Sequence, residues 1–192
     1  MKTKSFVLLG IILFLSLRNF TLAQKTGIYL THSNYDSDRI AYVKKGNLKY
    51  KLRVDNLFNE SIVKVAIGDS TFKFLKDSIF GYRDDNNVNY RFYNKKTYRI
   101  LNPKEGIVLY SITTIVNTKG NQTATNYYFS VAVSSAIYPL TKLNLKRAFP
   151  NDSNFHELID MYFNNDSDLL NYDSFYNQYK INRIFQFKKS QK

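Results

Sequence analysis

Lys49-Tyr50-Lys51-Leu52-Arg53-Val54 alternates without a break. Tyr50, Leu52 and Val54 point one way; Lys49, Lys51 and Arg53 point the other. Successive side chains of an extended chain fall on opposite faces, so this period of two predicts a strand with one buried and one wet face. The same reading extends downstream. Residues 62–67 form a second strand, Gly68-Asp69-Ser70 makes a tight connection, and residues 71–75 return as a hairpin partner. Residues 79–83 and 88–93 flank Asp84-Asp85-Asn86-Asn87, whose side chains tolerate turn backbones. Residues 97–101 continue until Asn102-Pro103-Lys104-Glu105-Gly106 breaks them. Residues 107–116 are a long β-branched run, with Lys119-Gly120-Asn121 as the turn and residues 126–133 as the partner; residues 137–140 make a last short strand. Upstream, residues 27–31 are extended, residues 34–39 form a turn or one helical turn, and Lys44-Lys45-Gly46-Asn47 is a turn.

Near Thr141 the period changes from two to 3.6. Thr141 caps a short helix that Pro150 ends, and Asp152 or Ser153 caps the next, whose apolar stripe is Phe155, Leu158, Ile159, Tyr162 and Phe163. Asp166 or Ser167 opens a third helical segment with Tyr172, Phe175, Tyr176 and Tyr179 on one stripe. Ile181, Ile184 and Phe185 fall off that stripe, so this helix either turns its buried side near Lys180 or ends there. Strands first and helices last predict an α+β fold, a mainly antiparallel sheet followed by two or three C-terminal helices packed on it. No linker or repeat divides the chain, which predicts a single domain over residues 24–192.

Residues 1–23 read as an export signal. Lys2 and Lys4 precede an apolar run over residues 6–17, and the small residues Thr21 and Ala23 follow Arg18. That layout predicts a signal peptide cleaved after Ala23; the run falls short of the ~20 apolar residues that a spanning helix needs. Without Lys2, Lys4 and Arg18 the exported chain keeps 25 basic and 15 acidic residues, a net charge of +10. The absence of cysteine removes disulfides and thiolate chemistry, and an exported cysteine-free chain reads as bacterial. The expected location is the periplasm, the outer membrane surface or the medium.

Catalytic signatures are scarce. The seven glycines build no nucleotide loop, and there is no nucleophile elbow. His32 and His156 are the only imidazoles; His156 lies in the first turn of the second helix, beside its apolar stripe. The pairs Asp36 and Asp38, Asp84 and Asp85, and Asp166 and Asp168 suit turns and helix caps. We therefore expect no catalytic residues, no metal and no cofactor, and the reading leans away from an enzyme.

The marked feature is charge interleaved with aromatics. Lys49, Lys51 and Arg53 share one strand face, and Arg83, Arg91 and Arg99 sit among tyrosines. Export argues against nucleic acid as the target. Lipopolysaccharide, an acidic glycan, a lipid headgroup or an acidic protein are the anions expected outside the cytoplasm. Gly27-Ile28-Tyr29-Leu30-Thr31, Asp77-Ser78-Ile79-Phe80-Gly81-Tyr82-Arg83, Tyr90-Arg91-Phe92-Tyr93, Tyr127-Tyr128-Phe129-Ser130 and Leu145-Lys146-Arg147-Ala148-Phe149-Pro150 occur in this order. That order resembles a group of exported proteins of Gram-negative bacteria; the resemblance implies no activity. The leading expectation is a non-enzymatic envelope binding or structural module that meets an anionic partner through Lys49, Lys51 and Arg53. The alternatives are a carboxylate-dependent hydrolase of envelope glycans, and an inhibitor or assembly factor acting by strand addition.

Overall fold

The computed structural model describes residues 25–44, 46–54, 61–103, 106–117 and 122–189. The export-signal reading and the turn at residues 119–121 lie outside them. The strands are β1 (Gly27–Tyr29), β2 (Tyr50–Val54), β3 (Ile62–Ile67), β4 (Ser70–Leu75), β5 (Gly81–Arg83), β6 (Asn89–Tyr93), β7 (Lys96–Ile100), β8 (Val108–Asn117), β9 (Gln122–Ser130), β10 (Tyr138–Pro139), β11 (Tyr172–Asp173) and β12 (Gln178–Tyr179). The helices are α1 (His32–Asp36), α2 (Lys142–Ala148), α3 (Ser153–Tyr162) and α4 (Lys180–Lys189). A seven-stranded sheet runs β1-β5-β6-β7-β8-β9-β10, a three-stranded sheet runs β2-β3-β4, and β11-β12 is a small hairpin. Every pairing is antiparallel. The molecule is thus α+β, with three of its four described helices at the C-terminal end.

The register shows how the large sheet is covered. Ile28, Tyr82, Tyr90, Arg99, Ser111 and Tyr127 are aligned across successive strands and share one face. At the β1-β5-β6 end of that face, Ile28, Tyr82 and Phe92 pack against Val63 and Val65 from the small sheet. At the β8-β9 end, Ile107, Leu109 and Phe129 pack against Leu145, Phe155, Ile159 and Ile184 from the helices. On the opposite face Tyr29, Tyr98, Ile100 and Tyr110 are covered by Tyr35 of α1, Phe80 and Ile137. Arg91 is buried on that face. It donates from Nη1 to the Tyr110 hydroxyl (3.1 Å) and from Nη2 to the Ser135 carbonyl (2.8 Å), with its guanidinium 5.4 to 5.9 Å from the Phe80, Tyr93 and Tyr110 ring centres. Aromatic faces, one hydroxyl and one carbonyl oxygen take the place of a carboxylate beside this cation. Gly81 lies where β5 crosses closest to β6: a Cβ there would stand 1.9 Å from the Tyr90 carbonyl oxygen.

The caps sit where the side-chain chemistry puts them. Thr141 Oγ1 accepts from Asn144 N–H at the start of α2, and Asp152 Oδ1 accepts from Phe155 N–H at the start of α3. The expectation for the third helical segment is corrected. Only a 3₁₀ turn, Asp166–Leu170, follows its Asn165 cap. Tyr172 to Tyr179 then form the β11-β12 hairpin, in which Asp173 Oδ1 accepts from the N–H groups of Phe175 and Tyr176 and Asn177 takes φ +53°. These local bonds offer the backbone an alternative to a helix, and the stripe of tyrosines does not override them. Helix α4 starts at Lys180, which is why Ile181, Ile184 and Phe185 keep a phase of their own.

Candidate anion-binding surface

Lys51 and Arg53 on β2, with Lys49 just before it, all project from the outer face of the small sheet, away from Leu52 and Val54, which pack inward. Pairing with β3 and β4 adds two cations that the sequence reading did not single out. Arg53 lies opposite Lys64, and Lys64 lies opposite Lys73. One row across three strands therefore carries three positive charges, with Lys51 and Lys49 continuing along β2. Directly opposed side chains in a sheet stand about 4.5–5.5 Å apart at Cβ, and like charges so placed are unfavourable. Lys49, Lys51, Arg53 and Lys73 are exposed and form no ion pair with a described residue. No residue of β2, β3 or β4 is acidic. The apolar side chains Leu48 and Leu75 flank the patch, 54% and 58% exposed.

The opposite side of the same sheet is apolar. Tyr42, at φ +50°, sets its ring 4.8 Å from Phe72 and 4.9 Å from Phe74, and Tyr50 of β2 packs against the same cluster. Burial pushes the Tyr50 hydroxyl up to about 12, helped by the negative Asp85. Apolar packing thus pins the inner face, and the outer face is left to the cations.

A second basic feature lies in the large sheet. The β7-β8 ladder consists of Arg99 opposite Ser111 and Ile100 opposite Tyr110, although β7 reaches back to Lys96 and β8 runs on to Asn117. The strands part there, and a cleft of about 670 Å³ occupies the fork. Lys76, Lys95, Lys96 and Arg99 line it together with Tyr90 and Tyr128, and no Asp or Glu is among its described lining residues. No carboxylate pair of the kind a glycan hydrolase needs occupies this cleft.

Four of the other chemical candidates, His156, Asp84, Asp168 and Asp38, make structural bonds. His156 Nε2 stands 3.0 Å from the Lys146 carbonyl and 2.9 Å from that of Phe149, so it closes the end of α2. Asp84 Oδ1 accepts from Asn86 and Val88 N–H, and Asp168 Oδ2 accepts from Asn164 and Asn165 N–H. Asp38 pairs with Arg83 at 2.6 Å and accepts from the Tyr29 hydroxyl. Among the described residues, no group of three His, Asp or Glu side chains lies close enough to hold a metal ion. None of the described helices is long and apolar enough to cross a membrane. No protein family, curated protein or solved structure matches this chain.

Proposed function

We propose that this chain is an exported bacterial envelope protein whose outer small-sheet face, Lys49, Lys51, Arg53, Lys64 and Lys73, binds an anionic envelope component without catalysing a reaction. The observation that carries this reading is the Arg53–Lys64–Lys73 row. Arg53 and Lys73, exposed on this row with Lys51 and Lys49 beside them, present positive charge to solvent that an opposing anionic surface would neutralise on binding. Leu48 and Leu75 at the margins add apolar contact where the surface is a layer of lipid headgroups. A Lys or Arg near an anionic membrane surface contributes about 1 kcal/mol.

The test is co-sedimentation of the chain from Gln24 onward with purified envelope fractions and with vesicles containing anionic lipid. Lys49→Gln, Lys51→Gln and Arg53→Gln together should weaken binding roughly a hundredfold at low salt, from three charges at ~1 kcal/mol each, and flatten its salt dependence. Unchanged binding by the folded triple variant would remove this face from the function.

A further inference from the structure

The fork between β7 and β8 exposes an unused strand edge. Leu101 N–H donates to the Leu109 carbonyl at 2.9 Å, so Leu109 turns its backbone groups toward β7. Backbone direction alternates along a strand, so Ser111, Thr113 and Ile115 turn theirs the same way. The Thr113–Thr125 pair agrees. Its hydroxyls meet at 3.0 Å, as expected for a closely spaced pair that shares no backbone bonds across β8-β9. Among the described residues, β7 supplies no ladder partner beyond Ser111. Thr113 and Ile115 therefore present N–H and C=O groups to the cleft, within reach of the cationic wall of Lys95, Lys96 and Arg99. On the outer edge of β9, β10 pairs with Tyr128 and Phe129, and Leu140 N–H donates to the Tyr127 carbonyl at 3.0 Å.

We infer that this fork is a docking site for an extended acidic peptide segment, which adds as a strand to the Thr113–Ile115 edge of β8 while its carboxylates face Lys95, Lys96 and Arg99. Backbone bonds supply affinity without regard to side chain, and alternate side chains supply selectivity. A strand in this position directs every second side chain to one face, so a segment with acids at alternate positions fits the basic wall best. An open, regular edge invites indiscriminate pairing, and the charged wall restricts entry to acidic segments. The site is separate from the basic face of the small sheet and does not depend on it.

The probe is an end-blocked octapeptide alternating Glu and Thr, titrated into the chain from Gln24 onward and followed by fluorescence anisotropy. Two derivatives carry N-methyl groups on all Glu amides or on all Thr amides; they keep the charge and remove the donors of one edge. Saturable binding of the parent, with at least a tenfold loss for one methylated derivative, is the expected result. Lys95→Gln, Lys96→Gln and Arg99→Gln together should also weaken the parent at least tenfold, whereas the Lys49→Gln, Lys51→Gln, Arg53→Gln variant should bind it as the parent protein does. Thr113→Pro removes a donor that faces the cleft and should lower affinity in a protein whose circular dichroism is unchanged. The proposal falls if the parent peptide does not bind, if both methylated peptides bind as well as it does, or if the Lys95, Lys96 and Arg99 variant keeps full affinity. Competition by an oligogalacturonate of equal charge, combined with indifference to methylation, would assign the cleft to acidic glycans instead and overturn the strand reading.

Discussion

Asn182 shows how one side chain can hold two layers together. It is fully buried on α4, where its Oδ1 accepts from Ile107 N–H at 2.7 Å and its Nδ2 donates to the Ile107 carbonyl at 2.9 Å. Asn102 completes the clasp, donating to the same carbonyl at 2.7 Å and accepting from Leu109 N–H at 2.6 Å. Residues just ahead of β8 lack a neighbouring strand, and the two amides stand in for one. Asn182→Leu keeps the volume but leaves Ile107 N–H buried without an acceptor, a loss of about 1–3 kcal/mol for the orphaned group. Urea unfolding should report a destabilisation in that range with an unchanged slope. A change under ~0.5 kcal/mol would mean that water or a backbone shift replaces the amide.

At the scale of elements, the β8-β9 hairpin is the part whose two sides differ most. Its Ile112 and Thr114 amides point toward β9, while those of Thr113 and Ile115 point into the fork. Hydrogen exchange should therefore alternate along the strand: slow at Ile112 and Thr114, fast at Thr113 and Ile115. Uniform protection over residues 112–115 would mean that β7 closes onto β8 in solution. The β11-β12 hairpin teaches a complementary lesson. Its tyrosines satisfy a helical stripe in one dimension, but Asp173 draws the backbone of Phe175 and Tyr176 into a turn, and Arg183 from α4 pairs with the same carboxylate. A local polar bond plus one long-range ion pair decides against helix there.

Seven tyrosines spread over the two larger sheets and α1 are buried or half-buried. Burial raises the hydroxyls of Tyr29, Tyr35, Tyr50, Tyr82, Tyr90, Tyr98 and Tyr110 above the usual value near 10. A group whose folded value is raised leaves stability intact below its unfolded value and reduces it as pH climbs toward the folded one. Below about pH 10 these phenols are neutral in both states. Above it the unfolded chain gives up protons that the folded chain retains, so stability falls with rising pH. We expect unfolding to set in between pH 10 and about 12, the range bounded by Tyr50. The part of the tyrosinate absorbance at 295 nm that belongs to these seven should rise together with the loss of far-ultraviolet dichroism. Complete ionisation of all the phenols with the dichroism intact would mean that these seven rings are wet.

Sequence determined what depends on near neighbours. The two faces of residues 49–54 follow from alternation, the hairpin at Asp84–Asn87 from side chains that bond their own turn, and the starts of α2 and α3 from Thr141 and Asp152. The basic face was half legible on the same ground. Lys49, Lys51 and Arg53 lie on one strand, whereas Lys64 and Lys73 join them only through the register of β3 and β4. Period two states that a strand has a wet side but not which strand lies next to it, because partner choice is settled by packing between residues distant in the chain. Only the tertiary structure decided that β2-β3-β4 detach as a separate sheet, that this sheet and the helices share one face of the larger one, and that β7 parts from β8 after Arg99. That parting leaves no trace in the sequence of residues 96–100 or 108–117. The cleft with its cationic wall exists only because the two strands part.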